Sequence, residues 1–156
     1  MIRAANACDI SQIAEIEKES FSDGWSADGL AAALEDSIGI FLVSEEQDMI
    51  AGYIIGSCDG ENGYIEKLAV HPCRRRNGIA LKLLEEFAEQ QNLSKELMAF
   101  VYSEGLSDTI RTEATDMAKK MGFKEILWIQ TGGVVTTHCG PGGFGVCGFE
   151  STDGNH

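Results

Sequence analysis

The run Leu68-Ala69-Val70-His71-Pro72-Cys73-Arg74-Arg75-Arg76-Asn77-Gly78-Ile79-Ala80 constrains this chain most, because it sets a strand end, a turn and a helix start in immediate succession. Tyr64 to Val70 is apolar and partly β-branched, as a strand requires, and Pro72 has no amide with which to continue a sheet ladder. From Gly78 to Gln91 the residues Ile79, Leu83, Leu84 and Phe87 recur at helical spacing. A helix N-terminus presents unpaired amides and about half a positive charge, so a phosphate is stabilised there. Glycine at 78 removes the Cβ that would keep a ligand away from the backbone, and Arg75 and Arg76 add charge at the rim.

The arginine cluster stands against an acidic background. Twelve Lys and Arg against 25 Asp and Glu give a net charge of −13 among 156 residues. Such a balance argues against nucleic acid or a membrane surface as the main partner and is compatible with a basic peptide or a small amine. The length suits one domain with a real core. No run approaches the ~20 apolar residues of a membrane span, and the N-terminal residues lack a signal-peptide core, so the cytoplasm is the expected location. Cys8, Cys58, Cys73, Cys139 and Cys147 contain no Cys-x-x-Cys pair, which suits reduced thiols. His71 near Cys73, and His138 beside Cys139, repeat no metal-ligand spacing, so no metal is expected.

Local signals give the remaining elements. Asp9 with Gln12 reads as a capping box, followed by Ile10, Ile13, Ile16 and Phe21 along one helical stripe. Ser26 is a natural N-cap for a second helix reaching about Asp36, and Trp25 before it can staple onto Leu30. Ile38 to Ser44 and Met49 to Ser57 read as an antiparallel hairpin, joined by the solvated turn Glu45-Glu46-Gln47-Asp48. After a turn at Asp59 to Gly63 comes the strand Tyr64 to Val70. Beyond Gln91 the expected order is strand (Leu97 to Tyr102), helix (Ser107 to Met121, closed by Gly122), strand (Phe123 to Thr131), a glycine-crowded loop from Gly132, and a last strand, Gly145 to Phe149. Trp25 and Trp128 read as packing residues, and Glu150 to His156 as a disordered tail. With a first strand at Ile2 to Ala4, this order describes an α+β protein with a mixed, mostly antiparallel sheet flanked by helices.

Arg75-Arg76-Asn77-Gly78-Ile79-Ala80 fits Gln/Arg-x-x-Gly-x-Gly/Ala and, preceded by Leu-Ala-Val-His-Pro, resembles the coenzyme A pyrophosphate loop of the GCN5-related N-acetyltransferases (GNAT). Ile2-Arg3-Ala4-Ala5, Ser20-Phe21-Ser22-Asp23-Gly24-Trp25-Ser26 and Ala51-Gly52-Tyr53 look like the ribosomal-protein-alanine N-acetyltransferase type within that family, from about Ile2 to about Gln91. The resemblance implies a GNAT-like three-layer fold and acetyl-CoA as cofactor. Leu68, Ala69 and Val70 would pair with its arm, and Arg75, Arg76, Asn77, Gly78, Ile79 and Ala80 would hold its pyrophosphate. The acceptor would be a protein N-terminus or a small amine.

Acetyl transfer to an amine needs a base and an acid. Glu66 shares a strand face with Leu68 and Val70, and is either the base in a cleft or a surface partner of Lys67 or of a neighbouring strand. The family type has a tyrosine four residues before Gly-Phe, whereas Ala118 stands there ahead of Gly122-Phe123. The strand from Met98 to Tyr102 also lacks the carboxylate expected near its middle, so the acid that the resemblance implies is missing, and Tyr102 is a substitute only with a different cleft geometry.

From about Leu93 to Glu150 the chain resembles the C-terminal segment of the DegV fatty-acid-binding family, on the run Thr137-His138-Cys139-Gly140-Pro141-Gly142-Gly143-Phe144-Gly145. That resemblance implies a graft near Gln91 in which the back part completes the sheet of a single domain over residues 1–150, with His138 near an acyl head group. It opens two alternatives, a fatty-acid-binding module and an inactive chimera. An unpaired edge strand at the graft would favour a homodimer by strand exchange.

Overall fold

The computed structural model describes residues 1–36, 39–58, 62–91, 93–102, 105–130 and 144–150. They fall into two compact units, Met1–Cys58 with Ile65–Gln90, and Asp59–Tyr64 with Gln91–His156. The fold is α+β, with sheets flanked by helices.

In the first unit lie, in order, β1 (Ile2–Ala4), β2 (Gly39–Glu46), β3 (Met49–Cys58) and, from Ile65 onward, β4 (Asn62–Val70). β1 pairs antiparallel with β2, and β2 with β3. The hairpin turn is tighter than the sequence predicts. β2 continues through Glu45 and Glu46 past a bulge after Ser44, and only Gln47 and Asp48 turn the chain, with φ of 52° and 63°. Two consecutive left-handed residues match the twist of the flanking strands, which is why so short a turn suffices.

Helices α1 (Ile10–Ser20) and α2 (Ala27–Glu35) cover one face. Their core stripe of Ile13, Ile16 and Leu30 meets Phe41, Val43, Tyr53, Ile55 and Ala69, all buried, and Trp25 packs onto the same cluster. Helix α3 (Ile79–Gln90) takes the other face, because alternation points Gly52 away from Tyr53 and toward Ile79. Ile79, Leu83, Leu84 and Phe87 are buried as their spacing predicts.

The first helix starts differently from the expectation. The capping box is Asn6 with Asp9, around a short 3-10 turn at Ala7–Asp9, and Asp9 caps nothing through its own side chain in α1. Its carboxylate accepts instead from the Asn6 amide at 2.8 Å and from both terminal nitrogens of Arg3 at 2.8 and 2.9 Å. Gln12, the other expected member, accepts from the Ile50 amide at 2.9 Å. Ser26 caps α2 as expected, through the Gly29 amide.

In the second unit β5 (Leu93–Tyr102) is central, parallel to β6 (Glu125–Gln130) and antiparallel to β7 (Phe144–Glu150). Helix α4 (Asp108–Lys120) begins at the Ser107 cap and ends at Gly122, whose φ is 89°. Phe100 stacks on Trp128 at 4.5 Å, and the indole N–H donates to Thr115 Oγ1 at 3.0 Å. Several boundaries shift: β4 begins at Asn62, β5 at Leu93 and β6 at Glu125, while α3 begins at Ile79 rather than Gly78. Residues 132–143 of the expected loop and 151–156 of the expected tail lie outside the described residues, while Glu150, expected to open the tail, ends β7.

The Arg3 guanidinium beside Asp9 holds that carboxyl below its ordinary value of 3.8, aided by the Asn6 amide and opposed by burial. A depressed folded-state pKa means stability that is present above the ordinary value and lost as pH falls through the folded one. Asp9→Asn should therefore unfold more easily in urea at pH 7, by about 1–3 kcal/mol. The gap to the unaltered protein should narrow as the pH is taken below 3.8.

Candidate functional site

At the end of β4 the His71 amide donates to Ala51 O at 2.8 Å, so the strand stays paired up to the proline. Pro72–Arg74 then make one 3-10 turn, capped by His71 Nδ1, which accepts from the Cys73 amide at 3.3 Å. Two left-handed residues follow, Arg76 with φ 65° and Gly78 with φ 74°, with Asn77 between them. The Asn77 side chain donates to Arg74 O at 3.2 Å and closes the turn on itself. Glycine is needed at 78 for its conformation as well as its size. A Cβ built there would meet nothing within 4 Å, so the space over the turn is open to a ligand. Lys82 makes the first helical bond, to Gly78 O at 3.1 Å, and the amides ahead of it belong to the orphan set of a helix N-terminus.

The arginines play different parts. Arg75 turns back along the strand, where its Nε donates to Val70 O at 3.0 Å and a terminal nitrogen donates to Ser20 Oγ at 3.2 Å. Arg74 reaches Glu46 at 3.9 Å, and Arg76 is exposed. Arg75 therefore ties the loop to the strand end and to α1, a role its place in the motif did not imply, and it remains exposed.

Gly52 determines how closely this loop sits on the sheet. A Cβ there would lie 2.9 Å from Ala69 O and 3.2 Å from the side chains of Ile79 and Val70. Strand β4, strand β3 and the first residue of α3 thus meet at one glycine.

Glu66 is exposed and lines a cleft of about 240 Å³ with Trp25, Gly29, Asp36, Ile55 and Gly56. Its surface-partner alternative, Lys67, is engaged elsewhere: the ammonium lies 3.4 Å from Oε2 of Glu17, a carboxylate at 0% exposure. Glu17 also accepts from the Trp25 amide at 2.7 Å and from the Tyr53 hydroxyl. This buried cluster was missed in the sequence, although one signal was available. Alternation puts Lys67 on the face of Ala69, and a charge on a core face needs a partner.

Tyr102 belongs to the second unit and Glu66 to the first. Its ring stands edge-on to Trp128 at 5.7 Å, with the Arg111 guanidinium 4.9 Å from its centroid. Ala118 is fully buried, and its carbonyl accepts from the Phe123 amide. That position serves packing, and no side-chain proton is available from it. Among the described residues no group of three or more His, Cys, Asp or Glu is arranged to hold a metal, and no helix is long and apolar enough to cross a membrane.

A family model described as an acetyltransferase (GNAT) domain matches residues 37–125, more than half of the chain. The chain belongs to the GNAT acetyltransferase family.

An uncharacterised N-acetyltransferase of Methanocaldococcus jannaschii is 33% identical over 85 residues, which are 54% of each chain, so this GNAT protein spans about half of that relative. Two solved structures share its fold. The ribosomal-protein-S18-alanine N-acetyltransferase of Escherichia coli has a TM-score of 0.60 and 16% identity, over 78% of this chain and 76% of the other. The PaiA N-acetyltransferase of Thermoplasma acidophilum, solved with coenzyme A, has a TM-score of 0.60 and 14% identity, over 74% and 86%. The family match runs past Gln91 to residue 125, whereas no comparison supports the DegV resemblance; His138 and its motif up to Gly143 fall outside the described residues, and Phe144 and Gly145 begin β7.

GNAT acetyltransferases draw their acetyl group from acetyl-CoA, and the turn from Arg75 to Ala80 has open space over a glycine at a helix start. The contact at Gly52 makes a direct test of how this loop is seated. Gly52→Ala should destabilise the protein by about 1–3 kcal/mol in urea unfolding, because the carbonyl of Ala69 cannot move aside as a flexible side chain would.

Proposed function

We propose that this GNAT protein is an acetyl-CoA-dependent N-acetyltransferase acting on a primary amine, at a protein N-terminus or on a small molecule. The observation that carries the reading is the Arg75–Ala80 turn, left-handed at Gly78 and open above it, at the start of α3. Residues 1–150 are taken as one acetyltransferase domain. The fold shared with a ribosomal-protein-alanine enzyme supports the N-terminal amine, and the net charge of −13 supports a basic acceptor.

Bound acetyl-CoA supplies an acetyl group activated as a thioester. Backbone groups of Leu68, Ala69 and Val70 would hold its arm, and Arg75 through Ala80 its pyrophosphate. An amine arrives as an ammonium and must lose a proton before it can attack. The Glu66 carboxylate accepts that proton, directly or through one water, in the cleft it lines with Trp25 and Asp36. When the amine nitrogen attacks the thioester carbonyl the C–S bond breaks, and the departing thiolate needs a proton to end the cycle. With Ala118 in the place of the family's tyrosine, solvent supplies that proton.

Isothermal titration with acetyl-CoA tests the binding half. The unaltered protein should bind, and the double variant Arg75→Ala, Gly78→Glu should not; no binding by the first, or equal binding by both, would overturn the reading. For the chemical half, Glu66→Gln should lower kcat by about 10²-fold with acetyl-CoA affinity retained. An unchanged kcat would remove Glu66 from the mechanism.

A further inference from the structure

Proton transfer through Glu66 leaves its neighbour unexplained. Lys67 points to the opposite face of β4, with only 14% of its side chain exposed, and burying an ammonium is costly unless an opposite charge is paired with it. Its nitrogen lies 3.4 Å from buried Glu17 on α1, 4.1 Å from the ring centre of Phe21 and 5.5 Å from that of Trp25. Phe21 and Trp25 belong to the connection between α1 and α2, and the Trp25 amide is bound to the same carboxylate at 2.7 Å. The connection is thus held at its backbone by Glu17 and at its rings by Lys67, through cation–π attraction as well as contact.

Trp25 and Glu66 line the same cleft. Glu66 is carried on β4 beside Lys67, and Trp25 is carried on the segment that Lys67 grips. The distance between the aromatic wall of the cleft and its carboxylate is therefore set through one side chain. Charge matters as well. Glu17 neutralises Lys67, so the cationic side chain does not oppose an incoming ammonium beside Asp36 and Glu66.

We propose that Lys67 is a positioning residue for the acceptor amine, fixing Trp25 opposite Glu66 through its contacts with Glu17, Phe21 and Trp25. The inference rests on the acetyltransferase reading, with the Glu66 cleft as the acceptor site. Lys67 touches neither acceptor nor cofactor, so its removal should affect acceptor binding and leave acetyl-CoA binding alone.

The experiment compares Lys67→Met and Lys67→Arg with the unaltered protein. Acetyl transfer is assayed on alanine-initiated peptides and an aliphatic diamine, acetyl-CoA binding by titration, and Trp25 exposure by acrylamide quenching in a Trp128→Phe background. Lys67→Met should raise the acceptor KM about tenfold, with kcat and acetyl-CoA Kd within about twofold, and should make Trp25 easier to quench. Lys67→Arg keeps the charge and the stacking, and should restore most of both effects. A folded Lys67→Met with unchanged acceptor KM overturns the proposal. So does an equal loss of acceptor and acetyl-CoA affinity, which would mark a merely structural residue. If Lys67→Met does not fold, Glu17→Gln with Lys67→Met removes both charges together and must show the same KM rise. Failure of the unaltered protein to bind acetyl-CoA would instead fell the acetyltransferase reading, and this proposal with it.

Discussion

A carboxylate at 0% exposure organises the first unit. Glu17 on α1 is surrounded by an amide from the α1–α2 connection, a hydroxyl from β3 and an ammonium from β4. An isolated buried carboxylate costs several kcal/mol, so these donors are what allows α1 to lie down at all. Once they are in place, α1, the connection, β3 and β4 have one mutual arrangement. The apolar residues then fill it, with Tyr53 tilted against Phe41 and Ile13, Ile16 and Leu30 sealing the layer. Even Gly24 belongs to this arrangement, since a Cβ there would come within 3.1 Å of Glu17 O.

The opposite face of the sheet depends on close approach rather than charge. Gly52 lets the start of α3 and the end of β4 touch β3, and this brings the amides at the helix start beside the strand end at Val70. The turn between them is held by its own bonds: His71 to Cys73, Asn77 to Arg74, and Arg75 to Val70. Left-handed Arg76 carries a strain of roughly 1–3 kcal/mol, which those bonds sustain. A loop so fixed needs no further ordering when the ligand proposed for it binds.

Much of this was legible in the residues. Ile79, Leu83, Leu84 and Phe87 are buried as their spacing says, Ser26 and Ser107 cap as their chemistry says, and Gly122 closes α4. Local signals failed where two residues compete for one role. Asn6 and Asp9 can both cap, and Asp9 was drawn away by Arg3, an interaction that depends on where β1 runs. Likewise the hairpin turn contracted because the sheet twist favours two left-handed residues over a longer polar loop.

The sequence by itself determined the turn from Leu68 to Ala80 and the family it marks, because strand end, proline, arginines, glycine and helix start are neighbours along the chain and act through local geometry. Only the tertiary structure decided what Lys67 and Glu66 sit beside. Lys67 finds its partner in Glu17 and its covering rings in Phe21 and Trp25, and Glu66 shares a cleft with Trp25 and Asp36. Those partners are distant in sequence and meet only when two helices close over the sheet, and no local period encodes which charge a buried carboxylate will accept.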